Sequence, residues 1–172
     1  MTGRNRRLAF EYEQIMSRLK HHSEISVQVI SRNADGLPNG YLVEYDIHSI
    51  CGVDNEQKPL FADRFLMRLD IPSEYPSVDA QPSFRFLTAD PVSGVEIPHP
   101  WHPNIRYFGD MAGRVCLNAA DTYTELSCGI LRIGEYLRYE RYHALNESPF
   151  PEDQQVAAWV VRIGEPNDYI YF

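Results

Sequence analysis

The sequence lacks the long apolar run that a membrane span requires. No stretch of its 172 residues approaches the roughly 20 consecutive apolar residues that cross a bilayer. The first residues include arginines but no apolar segment, so we expect no signal peptide. We therefore expect no membrane partner and a cytoplasmic location.

Positive charge is scarce. The chain has 16 lysines and arginines against 24 aspartates and glutamates, which gives a net charge of −8. A nucleic-acid-binding protein normally presents a dominant basic surface. We therefore expect no nucleic-acid partner, although Arg4, Arg6 and Arg7 cluster near the start.

Cysteine is equally sparse. The three cysteines are Cys51, Cys116 and Cys128, and none of them forms a Cys-x-x-Cys pair. An odd number without a secretory signal indicates reduced thiols rather than a disulfide framework. Each cysteine must be interpreted singly, and a single cysteine is most often a small buried apolar residue.

Linkers, repeats and low-complexity tracts are absent as well. Hydrophobic residues make up 44% and charged residues 23% of the chain, which is an ordinary globular balance. The length suits one hydrophobic core. We predict a single domain over residues 1–172.

The periodicity of apolar residues predicts a helix followed by strands. Residues 6–22 have a helical period. Their apolar face would carry Leu8, Tyr12, Ile15 and Leu19, and their exposed face Arg7, Glu11, Gln14 and Arg18. Strand-like alternation then covers residues 25–30, 41–50, 61–71 and 83–87. The pattern predicts an α+β fold with a four-stranded antiparallel meander.

A proline-bearing loop and two helices complete the predicted fold. Residues 88–115 show little periodicity, and loops of this length are usually either functional or disordered. Thr122 and Glu125 match a capping box, which would begin a helix whose apolar stripe is Leu126, Ile130, Ile133 and Leu137. A last helix would begin at Pro151 and end at Gly164.

Four short motifs follow one another in an informative order. They are Ile-Pro-Ser-Glu-Tyr-Pro at 71–76, Pro-Ser-Phe-Arg-Phe at 82–86, His-Pro-Asn-Ile at 102–105 and Gly-Arg-Val-Cys-Leu at 113–117. With the flanking segments, this order resembles the ubiquitin-conjugating (E2) family. The resemblance implies the ubiquitin-conjugating (UBC-like) fold: an N-terminal helix, a four-stranded meander and C-terminal helices.

The resemblance assigns Cys116 as the thiol that carries a ubiquitin-like protein as a thioester. The chemistry is suitable, because a thiolate is both a good nucleophile and an adequate leaving group. By the same resemblance, the Asn104 amide stabilises the negative charge that develops on the thioester carbonyl when an amine attacks. His102 and Pro103 would hold the loop.

The resemblance implies further residues and partners. Asp153, with Glu152 beside it, would accept a proton from the incoming amine, and Arg6 and Arg7 would form part of an E1-binding face. The expected partners are an E1-like activating enzyme, a ubiquitin-like protein and a target protein with a lysine. No cofactor and no metal are expected.

The sequence also departs from the family. The loops between Thr88 and His102 and between Asn104 and Cys116 are longer than usual, and Tyr123 replaces the family's tryptophan after the cysteine. The Ser-Pro-Ala motif that RING-type ligases contact is absent, so no RING-type ligase is expected. These features resemble a divergent, prokaryotic E2-like protein more than a standard eukaryotic one.

Three alternatives remain open at the level of sequence. The chain could be a catalytically silent E2 variant that binds a ubiquitin-like protein without forming a thioester. His99, His102 and Cys116 could supply three zinc ligands. Cys116 could instead pair with His102 or His143 as a cysteine hydrolase.

Overall fold

The computed structural model describes residues 2–117 and 125–171. Within these ranges the fold is α+β. Its elements are α1 (Gly3–Leu19), β1 (Ile25–Arg32), β2 (Pro38–Tyr45), β3 (Ser49–Val53), β4 (Pro59–Ala62), β5 (Phe65–Asp70), β6 (Ser83–Phe86), α2 (Leu126–Leu137), α3 (Gln154–Ile163) and α4 (Asn167–Tyr171). None of the helices described combines the length and apolar character that crossing a bilayer requires.

The main sheet has four antiparallel strands in the order β1-β2-β5-β6, as predicted. The predicted strands at 41–50 and 61–71 are wrong in extent, because each is divided into two. The chain leaves the main sheet after Tyr45 and returns at Phe65, and β3 and β4 form a separate hairpin between them. The sequence does not show where each predicted strand is divided, because apolar and polar residues alternate with a period of two across both breaks.

Helix α1 packs its apolar stripe against the sheet. Leu8 and Ile15 are fully buried, which confirms the predicted apolar face. The prediction that Glu11 is exposed is wrong, because its side chain is also fully buried. Glu11 forms an ion pair with Arg7 at 2.6 Å and accepts a hydrogen bond from the Tyr75 hydroxyl at 2.7 Å.

Helix α2 is the central helix of the core, and all four residues of its predicted stripe are fully buried. Thr122 lies outside the described residues. Glu125 is the N-cap and makes no capping bond through its side chain, so it is not the third helical residue that a capping box requires. The backbone N–H of Leu126 donates instead to the buried carboxylate of Glu11 at 2.8 Å.

The buried side chains form two clusters. The larger cluster joins α1, α2 and the main sheet, and Ile105 belongs to it. The smaller cluster contains Trp101 together with Ile50 of β3 and Trp159 of α3. The segment 101–105, which carries the His-Pro-Asn motif, therefore contributes one side chain to each cluster.

Helix α3 begins three residues later than predicted. Pro151 is not its first residue, because Asp153 is the N-cap and Gln154 opens the helix. The Asp153 carboxylate satisfies the free N–H groups of the first turn, which sets the start there. Gly164, with a φ of 89°, ends the helix as predicted.

Candidate active site

His102 anchors the segment that carries the site. Its Nδ1 accepts the backbone N–H of Asn104 at 3.1 Å, so Nε2 bears the proton and donates to the carbonyl of Arg141 at 3.1 Å. The ring stacks on Tyr136 with centroids 4.9 Å apart. Burial lowers the pKa of His102 to about 3, and the ring is therefore neutral.

Asn104 is buried beside Cys116. The backbone N–H of Cys116 donates to the carbonyl of Asn104 at 2.8 Å, and the N–H of His143 donates to the side-chain Oδ1 of Asn104 at 3.0 Å. Because Oδ1 accepts a backbone N–H, the orientation of the amide is fixed. Its Nδ2 makes no hydrogen bond to any residue that the structure describes, and this group remains free to donate.

The lengthened loop between Asn104 and Cys116 folds back on itself. Ile105 and Val115 form a β-bridge, and the N–H of Arg106 donates to the carbonyl of Arg114 at 2.9 Å. Gly113 makes this return possible, because it has a φ of 85° and a Cβ there would lie 2.0 Å from the carbonyl oxygen of Phe86. The extra residues thus do not separate the two site residues.

Cys116 is half-buried and lies next to an ion pair. Burial raises the pKa of its thiol, and the negative charge of Glu152 raises it further, whereas the guanidinium of Arg114 lowers it. Glu152 Oε1 lies 2.5 Å from Arg114 Nη2 and 3.3 Å from Arg106 Nε. The carboxylate of Glu152 is the acidic group whose charge acts on the thiol.

Asp153 is hydrogen-bonded to the loop segment that carries Asn104. Its Oδ1 accepts the N–H groups of Gln155 and Val156 at 3.0 and 3.2 Å, and its Oδ2 accepts the N–H of Tyr107 at 2.9 Å. Its own N–H donates to the carbonyl of Pro103 at 2.9 Å. Both carboxylate oxygens are therefore occupied, and Asp153 joins α3 to the loop that carries the site.

Arg6 and Arg7 differ in their surroundings on α1. Arg6 is exposed. Arg7 is partly buried, and its Nε donates to the Tyr75 hydroxyl at 3.1 Å while another nitrogen pairs with Glu11. Arg7 is thus engaged within the fold, and Arg6 is the more available of the two.

Sequence reasoning missed several neighbours of Cys116. Arg114 could have been found from its position two residues before the cysteine. Arg106 gave no signal, because it reaches the site only through the folded-back loop. His143 was considered only as a possible base for Cys116, whereas in the structure its backbone N–H donates to the side chain of Asn104. Glu152 was considered beside Asp153 as a proton acceptor, but its ion pairs with Arg106 and Arg114 were not predicted.

The zinc-site and cysteine-hydrolase hypotheses find no support in the surroundings of His102 and Cys116. Both ring nitrogens of His102 are hydrogen-bonded to the backbone, which leaves no lone pair for zinc. Across residues 2–117 and 125–171 there is no cluster of three or more potential metal ligands. A cysteine hydrolase lowers its thiol pKa with a nearby histidine, whereas the pKa of Cys116 is raised.

Comparison with known proteins gives structural neighbours only. No protein-family model and no curated protein matches the sequence. Among solved structures, the chain is similar to a ubiquitin-conjugating enzyme E2 from Plasmodium falciparum, with a TM-score of 0.47 and 18% identity over 77% of this chain and 96% of that one. It is also similar to the human ubiquitin-conjugating enzyme E2 G1, with a TM-score of 0.46 and 18% identity over 77% of this chain and 95% of that one.

Proposed function

We propose that the chain is an E2-like conjugating enzyme with a UBC-like fold. It would accept a ubiquitin-like protein from an E1-like enzyme as a thioester on Cys116 and pass it to a lysine amine of a target. The observation that carries the proposal is the hydrogen bond of 2.8 Å between the backbones of Cys116 and Asn104. It supports a site in which a thiol and an oriented amide donor act together.

The environment of the thiol favours a carrier over a hydrolase. Exchange of one thioester for another is nearly balanced in free energy, so a thiol with a raised pKa can still take part through its thiolate fraction. Partial burial also suits a carrier, because water is kept from the bound thioester. The same partial burial is the main cause of the raised thiol pKa of Cys116.

Asn104 would stabilise the oxyanion. When an amine attacks the thioester, negative charge develops on the carbonyl oxygen, and a fixed neutral donor stabilises it. The bond from the His143 N–H to Oδ1 of Asn104 leaves Nδ2 as the donor of the amide. His102 and Pro103 support this arrangement as positioning residues, since they hold the Asn104 backbone and the N-cap of α3.

Glu152 suits the role of proton acceptor better than Asp153 does. Three backbone N–H groups occupy the carboxylate of Asp153. The carboxylate of Glu152 acts electrostatically on the Cys116 thiol and is exchangeable, because its hydrogen-bond partners among residues 2–117 and 125–171 are arginine side chains. An incoming lysine could replace those arginines, and Asp153 then acts by positioning α3. Arg6, rather than Arg7, is the exposed basic residue of α1 that an E1-like enzyme could contact.

A loading assay tests the role of Cys116. The purified chain is incubated with ATP and with the E1-like enzyme and ubiquitin-like protein encoded in the same genome. We expect an adduct that a thiol reductant removes, and Cys116→Ser should give an adduct that resists the reductant. Cys51→Ser and Cys128→Ser are matched controls and should load normally. An adduct that persists in Cys116→Ala would contradict the carrier role, and absence of any adduct would favour the silent variant.

Discharge of the loaded enzyme tests Asn104. Asn104→Ala should load at a normal rate, because transfer of the thioester from the E1-like enzyme to Cys116 needs the thiol and not the amide of Asn104. Transfer to free lysine should fall by about 10²–10³-fold, which is typical for removal of one oxyanion donor. Single-turnover discharge measures this rate. Equal discharge by the variant and the wild type would exclude an oxyanion role for Asn104.

A further inference from the structure

Three arginines, two from neighbouring strands and one from the loop bridged to β6, lie side by side on the solvent face of the main sheet. Arg68 of β5 is in register with Arg85 of β6, and Arg85 forms a β-bridge with Arg114. Directly paired residues of antiparallel strands project their side chains to the same face. All three residues are exposed. We call this set, Arg68, Arg85 and Arg114, the arginine row.

The arginine row is unfavourable for the fold itself. Like charges placed directly opposite each other destabilise a sheet. The N–H of Phe86 donates to the carbonyl of Gly113, and the N–H of Val115 donates to the carbonyl of Phe84. Arg85 and Arg114 lie between these two bonds and therefore form a non-hydrogen-bonded pair. Such a pair has Cα atoms only about 4.5 Å apart. A local rule broken in this way, in a chain with a net charge of −8, is typical of a functional surface.

Two carboxylates compensate part of the positive charge. Asp70 lies 2.8 Å from the guanidinium of Arg68. Glu152 pairs with Arg114 and also with Arg106, which extends the positive charge beyond the row toward α3. Three guanidinium groups, those of Arg68, Arg106 and Arg114, thus share two acidic side chains.

Arg85, in the centre of the row, pairs with no carboxylate in the parts of the chain that the structure describes. Its guanidinium donates to the carbonyl oxygens of Ala112 at 3.0 Å and Asp110 at 2.7 Å. These bonds fix the side chain without neutralising its charge. A rigid guanidinium that keeps its full charge can bind a carboxylate with little further loss of conformational freedom.

We propose that the arginine row binds an acidic segment just before the C-terminus of the protein carried on Cys116. This inference rests on the proposed function. Arg114 precedes the thiol by two residues, so the row begins beside the bound C-terminus. The row spans about 10 Å, since neighbouring strands lie about 4.8 Å apart, and an extended chain advances about 3.3 Å per residue. The acidic residues should therefore stand about three to six positions before the thioester.

Peptide binding tests the inference without a thioester or an E1-like enzyme. Two fluorescent peptides of about ten residues are compared, and both end in Gly-Gly. One carries three glutamates and the other three lysines, about three to six positions before the C-terminus. Fluorescence anisotropy at low salt measures their affinities for the purified chain. We expect the acidic peptide to bind at least about tenfold more tightly, with the difference reduced at higher salt. Equal affinities would overturn the proposal.

Variants locate the binding surface. Arg68→Glu with Arg85→Glu should reverse the preference between the two peptides, and the milder Arg85→Gln should weaken acidic-peptide binding by about threefold or more. Arg162→Glu is the control, because Arg162 is an exposed arginine in the last turn of α3. Circular dichroism checks that each variant is folded. An unchanged preference in both row variants would overturn the proposal.

A competitor distinguishes an acidic peptide from a nucleic acid. A single-stranded oligouridylate of equal charge is added to the complex with the acidic peptide. If more oligouridylate than unlabelled acidic peptide is needed to displace the labelled peptide, the proposal is supported. If less oligouridylate is needed, the proposal is overturned. These assays involve no thioester, and the loading assay involves no acidic peptide. Failure of this inference can therefore be distinguished from failure of the proposed function.

Discussion

At the scale of single residues, two charged neighbours set the reactivity of the Cys116 thiol in opposite directions. Glu152 raises the thiol pKa and Arg114 lowers it. Glu152→Gln should therefore lower the pKa and speed alkylation by iodoacetamide several-fold near neutral pH, whereas Arg114→Gln should slow it. The pH dependence of alkylation, in a background that carries Cys51→Ser and Cys128→Ser, measures both effects. Shifts of the same sign would show that the charges do not act as described.

His102 couples a single buried ring to the stability of the fold. Its pKa is about 3 in the folded chain against an ordinary value of 6.5. Between these pH values the unfolded chain binds a proton at this residue and the folded chain does not. Stability from the neutral ring is therefore present above pH 6.5 and lost as the pH falls toward 3.

The His102 effect can be isolated with a variant. From about pH 7 to pH 4.5, the free energy of unfolding of the wild type should fall by about 2–3 kcal/mol more than that of His102→Gln. Urea denaturation at each pH measures the difference. His21→Gln is the control, because His21 is exposed, and it should keep the wild-type slope. Equal slopes for His102→Gln and the wild type would contradict the assignment of a neutral buried ring.

At the scale of elements, the buried carboxylate of Glu11 joins three parts of the chain. It pairs with Arg7 of α1, accepts the hydroxyl of Tyr75 and accepts the first N–H of α2 at Leu126. Glutamine at this position has one acceptor oxygen, so at least one of these donors loses its partner. Loss of a buried partner is costly, and a charged partner raises the cost.

Glu11→Gln should therefore lower the free energy of unfolding by about 2–4 kcal/mol. Glu13→Gln offers a matched control, because Glu13 is exposed on the same helix, and it should change stability by less than about 0.5 kcal/mol. Urea denaturation gives both values, and hydrogen exchange at the Leu126 amide should accelerate only in Glu11→Gln. Similar stabilities for the two variants would rule out the capping role of Glu11.

At the scale of the whole molecule, the two hydrophobic clusters should unfold together. The segment 101–105 places Trp101 in the smaller cluster and Ile105 in the larger one. Ser49 strengthens the connection by donating from its hydroxyl to the carbonyl of Leu137 at 2.5 Å. The site formed by Asn104 and Cys116 depends on the contact between the two clusters, because the segment 101–105 that connects them also contains Asn104.

Ile133→Ala tests this coupling. Ile133 is fully buried in the larger cluster, so its truncation should cost about 2–5 kcal/mol. Both tryptophans lie in the smaller cluster and report on it by fluorescence, whereas circular dichroism reports on the whole fold. The two midpoints should coincide and shift equally in the variant. A fluorescence midpoint that stays at the wild-type value would indicate two independent units.

Several features of the fold were predictable because they depend on local patterns. The apolar residues of α1 and α2 recur at helical spacing, and the alternation holds from Ile25 to Val29 in β1 and throughout β6. The break after Tyr45 was not predictable, because the residues on both sides alternate equally well. Glu11 was misplaced for a related reason: a charged residue looks exposed until Arg7, Tyr75 and the start of α2 surround it.

The sequence by itself determined the kinds of segment, their order and the motifs that single out Cys116 and Asn104. Those features follow from short-range spacing, which is written directly in the chain. Only the tertiary structure decided that these two residues are neighbours despite the longer loop, that the charge of Glu152 acts on the thiol, and that Asp153 is an N-cap. These relations depend on long-range packing and hydrogen bonding, whose free energy arises only when distant segments meet.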